Sequence, residues 1–146
     1  MSLLRGPEWP DKHADEGHHE FVYSLYPHGG SWQQAITVRN GYELNYPAIA
    51  VSVQPHAGPL SSSQSFFSAD ADNVVVTGIK KDEDDDNLTL RFYEWAGKKT
   101  DVHLKIPIGI SLASETNLME VPEREAAATV TVTPFEIKTV KLVRSR

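Results

Sequence analysis

The sequence predicts an all-β fold, a β-sandwich of mainly antiparallel strands with one short helix. Short segments rich in β-branched and aromatic residues recur along the chain, and such residues favour extended backbone. Turn-forming residues separate these segments at fairly regular spacing, which is typical of a sandwich rather than of a parallel sheet. Only one segment has the apolar spacing of a helix.

Seven segments have the pattern of a β-strand. The clearest is residues 88–94, where leucines and Phe92 alternate with other residues over seven positions, as expected of a half-buried strand. Residues 74–79 are strongly β-branched. The other predicted strands are residues 21–26, 48–53, 101–106, 129–133 and 135–143. Residues 82–87 and 96–99 are predicted to be turns between strands.

Residues 31–40 are the candidate helix. Ser31 is suited to cap its N-terminus, because a serine hydroxyl accepts a hydrogen bond from a free backbone N–H there. Apolar residues fall near one face of the helix, and Gly41 is predicted to end it. The following residues, 54–65, are rich in Pro, Gly and Ser and are predicted to form a loop.

Composition excludes several classes of function. The chain has 146 residues, which suits a single domain over residues 1–146. Its net charge of −6 argues against a nucleic-acid partner, because phosphate binding needs a basic face. No run of 18 apolar residues is present, so no membrane association is expected. The chain has no cysteine, which favours a cytoplasmic protein.

The acidic residues do not form a recognisable catalytic pair. Most of the 20 acids lie in predicted turns, and residues 82–86 are interpreted as a solvated loop tip. A calcium loop is the alternative, since Asp82, Asp84 and Asp86 alternate. However, Asn87 stands where an EF-hand needs glycine, and Tyr93 stands where it needs glutamate.

A histidine cluster near the start is the other candidate site. Asp15, His18, His19 and His28 lie within fourteen residues, and zinc would need three or four such ligands. On a strand, His18 and His19 would point to opposite faces. We therefore expect some of these imidazoles to hydrogen-bond to the strand and turn beside them. The chain also lacks a recognisable nucleophile elbow, P-loop or dinucleotide fingerprint.

Four groups of residues together resemble a known family. Residues 14–30 fit the pattern A-D-x-G-x-H-x-F-x-Y-x-L-x-P-H-x-G found in glycoside hydrolase family 38 α-mannosidases. The other pieces follow that family's order, with Gly6 standing where the family has serine. They are residues 3–7, residues 74–80 with 90–94, and residues 117–120 with 133–139. The whole pattern is closer to the bacterial, archaeal and cytosolic branch than to the Golgi branch.

The resemblance implies a role for this chain and an activity for its parent. The family hydrolyses α-mannosides with retention, and its zinc ion and aspartate nucleophile belong to an N-terminal barrel domain that is absent here. The chain is therefore expected to be a C-terminal β domain that stabilises or shapes the catalytic domain. It is expected to carry no catalytic residue, metal or cofactor of its own, and to be inactive alone.

Two other functions are consistent with the sequence. A free-standing carbohydrate-binding module would use exposed aromatic rings for stacking, and the candidates are Trp9, Trp32, Tyr42, Tyr46 and Trp95. Core packing, or contact with the missing domain, is the alternative explanation of these rings. A purely structural interaction domain is the third hypothesis.

The start of the chain suggests where a partner binds. Residues 1–3 resemble a cloning scar, and residues 3–5 have the pattern of a strand that lacks its neighbour. An unpaired strand edge invites pairing, so self-association into a homo-oligomer is expected through this edge or near Trp9 and Trp32. Arg5, Trp9, His28 and Trp32 are the predicted contacts with the missing catalytic domain.

Overall fold

The computed structural model describes residues 3–4 and 6–144, and it confirms the prediction of an all-β fold with one short helix. The described chain contains one helix and eight strands. In chain order they are α1 (Thr37–Asn45), β1 (Ser68–Ala69), β2 (Val74–Lys81), β3 (Leu88–Glu94), β4 (Thr100–Lys105), β5 (Ile110–Thr116), β6 (Pro122–Glu125), β7 (Thr129–Val132) and β8 (Ile137–Arg144). The residues fall into two compact units, Met1–Ile49 and Ala50–Arg146.

The larger sheet of the second unit has five antiparallel strands in the order β2-β3-β8-β5-β6. Strand β8 lies at its centre, because it pairs with β3 on one side and with β5 on the other. The register shifts in β2 between Val76 and Gly78, and in β5 between Leu112 and Ser114. Such bulges bend a strand and increase its twist.

The smaller sheet has three strands in the order β1-β4-β7. The core combines alternate residues of both sheets, as expected of a sandwich. Phe92, Val102, Val130, Val132, Val140 and Leu142 have no exposed surface. Val74 and Leu90 complete this buried cluster.

Three predicted strands near the start are wrong. Residues 21–26 and 48–53 belong to no strand, and most of their large apolar side chains are exposed. Leu3 and Leu4 also lie outside the strands, while Arg5 is outside the described residues. A strand forms only when another strand supplies its hydrogen-bond partners, and within the described chain no backbone hydrogen bond reaches residues 21–26 or 48–53.

The predicted helix exists, but it lies further along the chain than residues 31–40. Ser31 and Gln34 exchange hydrogen bonds between side chain and backbone, at 2.9 and 3.3 Å, which is a capping box. Regular helix nevertheless starts only at Thr37, after Ile36 adopts a left-handed φ of 48°. Gly41 does not end the helix, which continues to Asn45. The prediction of that stop is wrong, and Pro47 follows the actual end.

Candidate functional site

A polar cleft of about 360 Å³ lies beside strands β5, β6 and β8. Its lining includes Glu115, Arg124, Glu136 and Lys138, with apolar contributions from Leu118 and Ile137. Glu115 and Lys138 are buried although they carry charge. Both lie on strands whose neighbouring residues form the core, so their positions follow from the pairing of β5 with β8.

One lysine links the carboxylates of this cleft. The Nζ atom of Lys138 lies 3.0 Å from Glu115 Oε2 and 2.6 Å from Glu136 Oε1. Arg124 also donates to Glu115 through its Nη2 atom. Burial alone would lower the pKa of Lys138, but its bonds to Glu136 and Glu115 outweigh burial and raise it. Lys138 therefore stays protonated.

The same contacts keep both carboxylates ionised. Burial works to raise the pKa of Glu115, but the hydrogen bonds from Arg124 and Lys138 outweigh it and lower the pKa. Burial is likewise outweighed at Glu136, where Lys138 and Thr133 donate. A glycosidase needs one carboxyl with a raised pKa to act as the general acid. The pair in this cleft is suited to holding structure rather than to proton transfer.

Glu94 is the most deeply buried carboxylate of the described chain, with no exposed surface. It accepts hydrogen bonds from Asn73 Nδ2 at 2.7 Å and from the backbone N–H groups of Ala96, Gly97 and Phe135 at 2.8, 2.8 and 3.0 Å. Burial acts to raise its pKa, but these donors outweigh burial and lower it. Sequence reasoning missed Glu94, although its position on the face of Leu90 and Phe92 was a signal.

The acidic turn between β2 and β3 is confirmed as a turn, but it is not a fully solvated tip. Asp82 is buried, and its carboxylate lies 3.2 Å from Lys141 Nζ and 3.3 Å from Thr89 Oγ1. Asp85 lies 2.7 Å from the same lysine nitrogen. The interpretation of residues 82–86 as solvated is therefore wrong for Asp82. Lys141, the fifth residue of β8, anchors the turn to the sheet. The sequence pattern of the turn alone could not reveal this contact.

The histidine cluster behaves in part as expected. The Nε2 atom of His19 lies 2.8 Å from the backbone oxygen of Asp15, which confirms that one imidazole bonds to the neighbouring turn. His28 contacts the ring of Tyr26 and lies 3.4 Å from the oxygen of Gly29. Within residues 3–4 and 6–144, no three His, Asp or Glu side chains are placed to hold one metal ion.

The predicted contact residues differ in exposure. Trp9 is 85% exposed and Trp32 is 41% exposed. His28 is also exposed, while Arg5 lies outside the described residues. The structure does not test their role as contacts with a missing domain, which stays a prediction.

The aromatic rings proposed for sugar stacking also differ. Trp95 is buried, and its Nε1–H donates to the backbone oxygen of Asp72 at 3.3 Å, so it is a core residue. Tyr42 and Tyr46 stack on each other along α1, with ring centroids 5.6 Å apart. Tyr46 is largely exposed.

In the part of the chain that is described, no helix is long and apolar enough to cross a membrane.

Comparison with known families finds a match for most of the second unit. Residues 73–140 match the family described as "Glycosyl hydrolases family 38 C-terminal beta sandwich domain". This match contains the cleft residues, Glu94 and the acidic turn, together with β2–β7 and the first half of β8. No solved structure shows a significant match to the chain.

Comparison with curated proteins extends the similarity to nearly the whole chain. It is 35% identical to "Alpha-mannosidase 2C1" of Homo sapiens and 34% identical to "Alpha-mannosidase G" of Dictyostelium discoideum, each over 98% of this chain. It is 29% identical to "Alpha-mannosidase" of Saccharomyces cerevisiae over 82% of the chain. The chain spans only 14% of the length of the first two relatives and 12% of the third. Residues 73–140 therefore belong to the C-terminal β-sandwich domain family of glycoside hydrolase family 38.

Proposed function

We propose that the chain is the non-catalytic C-terminal β domain of a longer α-mannosidase-like hydrolase, in which it stabilises or shapes the catalytic domain. The observation that carries this proposal is the difference between two alignment coverages, that of this chain and that of its relatives. The relatives align with 98% of this chain, yet the chain spans 14% of their length. A segment that small is a minor part of such a protein, and most of the parent would lie outside it.

The electrostatics of the described carboxylates support a non-catalytic role. In Glu94, Glu115 and Glu136, hydrogen bonds to the ionised form outweigh the effect of burial, and the pKa is lowered in each. Buried acids with lowered pKa hold structure together, whereas a general acid near neutral pH needs the opposite shift.

For the parent we propose hydrolysis of terminal α-mannosides, with zinc or a similar divalent metal held in its catalytic domain. The described residues of this chain do not fit such a metal, because no three potential ligands converge. We also propose a cytoplasmic location for the parent, which the absence of cysteine from this chain supports.

The test compares this chain with the protein encoded by the whole natural reading frame. Both are incubated with an aryl α-mannoside, with and without zinc or cobalt. Turnover is expected from the longer protein and none from this chain. Activity that follows this chain through successive purification steps would contradict the proposal, as would a longer protein with no α-mannosidase activity.

A carbohydrate-binding module is the second candidate, and the stacked pair of half-buried Tyr42 and exposed Tyr46 favours it. Aromatic faces bind sugars by stacking, but the amide nitrogen of Asn45 beside this pair already donates to the backbone oxygen of Gly41 at 2.7 Å. We expect mannose and short mannosides to bind more weakly than about 100 μM, roughly −5.5 kcal/mol. Titration calorimetry measures this. Tighter binding that Tyr46→Ala abolishes would support the module instead.

A further inference from the structure

Two segments have the sequence of β-strands but lie outside every strand of the described chain. They are residues 21–26 and residues 48–53. Their apolar side chains face solvent, with Val22 76%, Leu25 83% and Ile49 91% exposed. Scattered exposed apolar residues are ordinary on a protein surface, but contiguous ones mark an interaction site.

The pattern within each segment indicates how it would be buried. In residues 21–26, Phe21, Tyr23 and Leu25 would lie on one face of a strand, and Val22 and Tyr26 on the other. Apolar residues on both faces are typical of a strand covered on both sides. In residues 48–53, Ile49, Val51 and Val53 share one face, which fits a strand covered on one side only.

The backbone of these segments is available for pairing. Among the described residues, no backbone hydrogen bond joins residues 20–28 or 47–56 to another part of the chain. A strand's N–H and C=O groups form their ladder only with a neighbouring strand. Both the side chains and the main chain of the two segments therefore fit the same kind of partner, a β-sheet with an open edge.

We propose that residues 21–26 and 48–53 are strands of a β-sheet that is completed by the part of the longer enzyme preceding this chain. The proposal rests on the proposed function, and it names the surface through which the domain joins its parent. Main-chain hydrogen bonds to a sheet edge provide affinity, and alternate side chains provide specificity. The relatives, of whose length this chain spans 14%, have ample additional chain to supply that sheet.

Pairing of the two segments with their own counterparts in a second copy is less favourable than pairing with an existing sheet. In a copy, the same segments would be equally unpaired, so joining them would create an isolated two-stranded ribbon. Such ribbons are marginally stable in water. They would also leave one face of residues 21–26 uncovered. An existing sheet with its own core meets both requirements.

Hydrogen exchange on the longer protein tests the proposal without any substitution. Amides in residues 21–26 and 48–53 are expected to exchange at least about 100-fold more slowly than those in residues 58–65, because a strand inside a sheet is protected and an exposed loop is not. Residues 58–65 belong to no strand or helix and serve as the internal reference. Equal exchange rates in the segments and the reference would overturn the proposal.

Matched substitutions in the longer protein provide a second measurement. Leu25→Lys places a charge in the proposed strand, whereas Leu60→Lys makes the same change at an exposed leucine in the loop. Leu25→Lys is expected to lower the melting temperature or to remove the soluble protein, and Leu60→Lys is expected to leave both unchanged. Equal behaviour of the two variants would count against the proposal.

Activity separates failure of this proposal from failure of the proposed function. A longer protein that hydrolyses an α-mannoside but exchanges rapidly at residues 21–26 would retain the proposed function and overturn the strand proposal. Light scattering distinguishes a second copy of the chain from the preceding part of the enzyme as the partner. Protection of residues 21–26 that appears only in a dimer, and is lost on dilution to the monomer, would assign them to a second copy and would also overturn the proposal.

Discussion

The carboxylate of Glu94 accepts a hydrogen bond from the backbone N–H of Phe135 at 3.0 Å, although 41 residues separate them in the chain. The same carboxylate binds the N–H groups of Ala96 and Gly97 and the amide of Asn73. Three separate segments thus meet at one buried anion. Phe135 has a left-handed φ of 61°, a conformation that is costly for a residue with a side chain, and this contact helps to hold it there.

Glu94→Ala is expected to destabilise the domain by about 3 kcal/mol, because it leaves several buried donors without an acceptor. Denaturant unfolding monitored by circular dichroism measures the change. Glu125→Ala is the matched control, since Glu125 is an exposed carboxylate on the edge strand β6, and such changes stay within about 0.5 kcal/mol. Equal unfolding midpoints for the two variants would show that Glu94 does not tie the segments together.

The stability that Glu115 provides is expected to disappear in acid. Burial favours a higher pKa, but Arg124 and Lys138 outweigh it and hold the pKa of Glu115 below its ordinary value of 4.5. The unfolded chain therefore binds a proton at this position before the folded chain does, and stability falls as pH decreases below about 4.5. Its contribution is complete above that value and is lost as pH falls through the lower, folded pKa.

Glu115→Gln tests this linkage. The destabilisation caused by the substitution is expected to be largest near pH 7 and to shrink as the pH falls below about 4.5. Urea unfolding of the variant and the unchanged chain at several pH values gives the comparison. Glu125→Gln should follow the unchanged chain throughout. A destabilisation by Glu115→Gln that stays constant over this range would contradict the expectation.

Asp82 is expected to be the structural residue of the acidic turn. Asp82→Ala removes the buried partner of Lys141 and Thr89, and a loss of about 2 kcal/mol is expected for such a charged contact. Asp84→Ala is the control, because Asp84 is exposed and should change stability by less than about 0.5 kcal/mol. Thermal unfolding with and without calcium completes the test, and a calcium-dependent rise in Tm would show that the turn holds an ion.

Gly97→Ala is expected to destabilise the domain by about 1–2 kcal/mol. Gly97 has a φ of +77°, and an added Cβ would lie 2.7 Å from the Cζ atom of Phe135. Gly78→Ala is the matched control, because no atom lies within 4 Å of a Cβ there. That variant should be neutral or slightly more stable, since alanine suits a strand better than glycine. Similar Tm values for both variants would contradict the predicted crowding.

Strands were predicted best where the apolar residues of the sequence pattern are the ones buried in the core. Residues 88–94 were predicted as a strand and form β3 with the same bounds, because alternate apolar residues there meet the core. The strands β5 and β6 were missed. Residues 110–116 mix small, polar and apolar side chains, and β6 starts with a proline, which is tolerated at such an edge position.

Partners far apart in the chain limit what could be predicted of the site. The position of Glu94 on an apolar face indicates an unusual acid, but its donors come from residues as distant as Phe135. Lys141 gives no sign in the sequence that it binds Asp82. The strand pattern of residues 21–26 has a similar limit, because strand propensity depends on the neighbour that is available.

The position of β8 at the centre of the five-stranded sheet determines when this domain can fold. Strands β3 and β5 are both paired to β8, and β8 is the last of the described strands to be synthesised. While the ribosome is still making residues 137–144, β3 and β5 have no common neighbour, and Val140 and Leu142 are missing from the core. Domains generally fold as units during synthesis, so this one must wait until its final strand emerges. Premature termination before residue 137 would consequently remove the whole sandwich rather than shorten it.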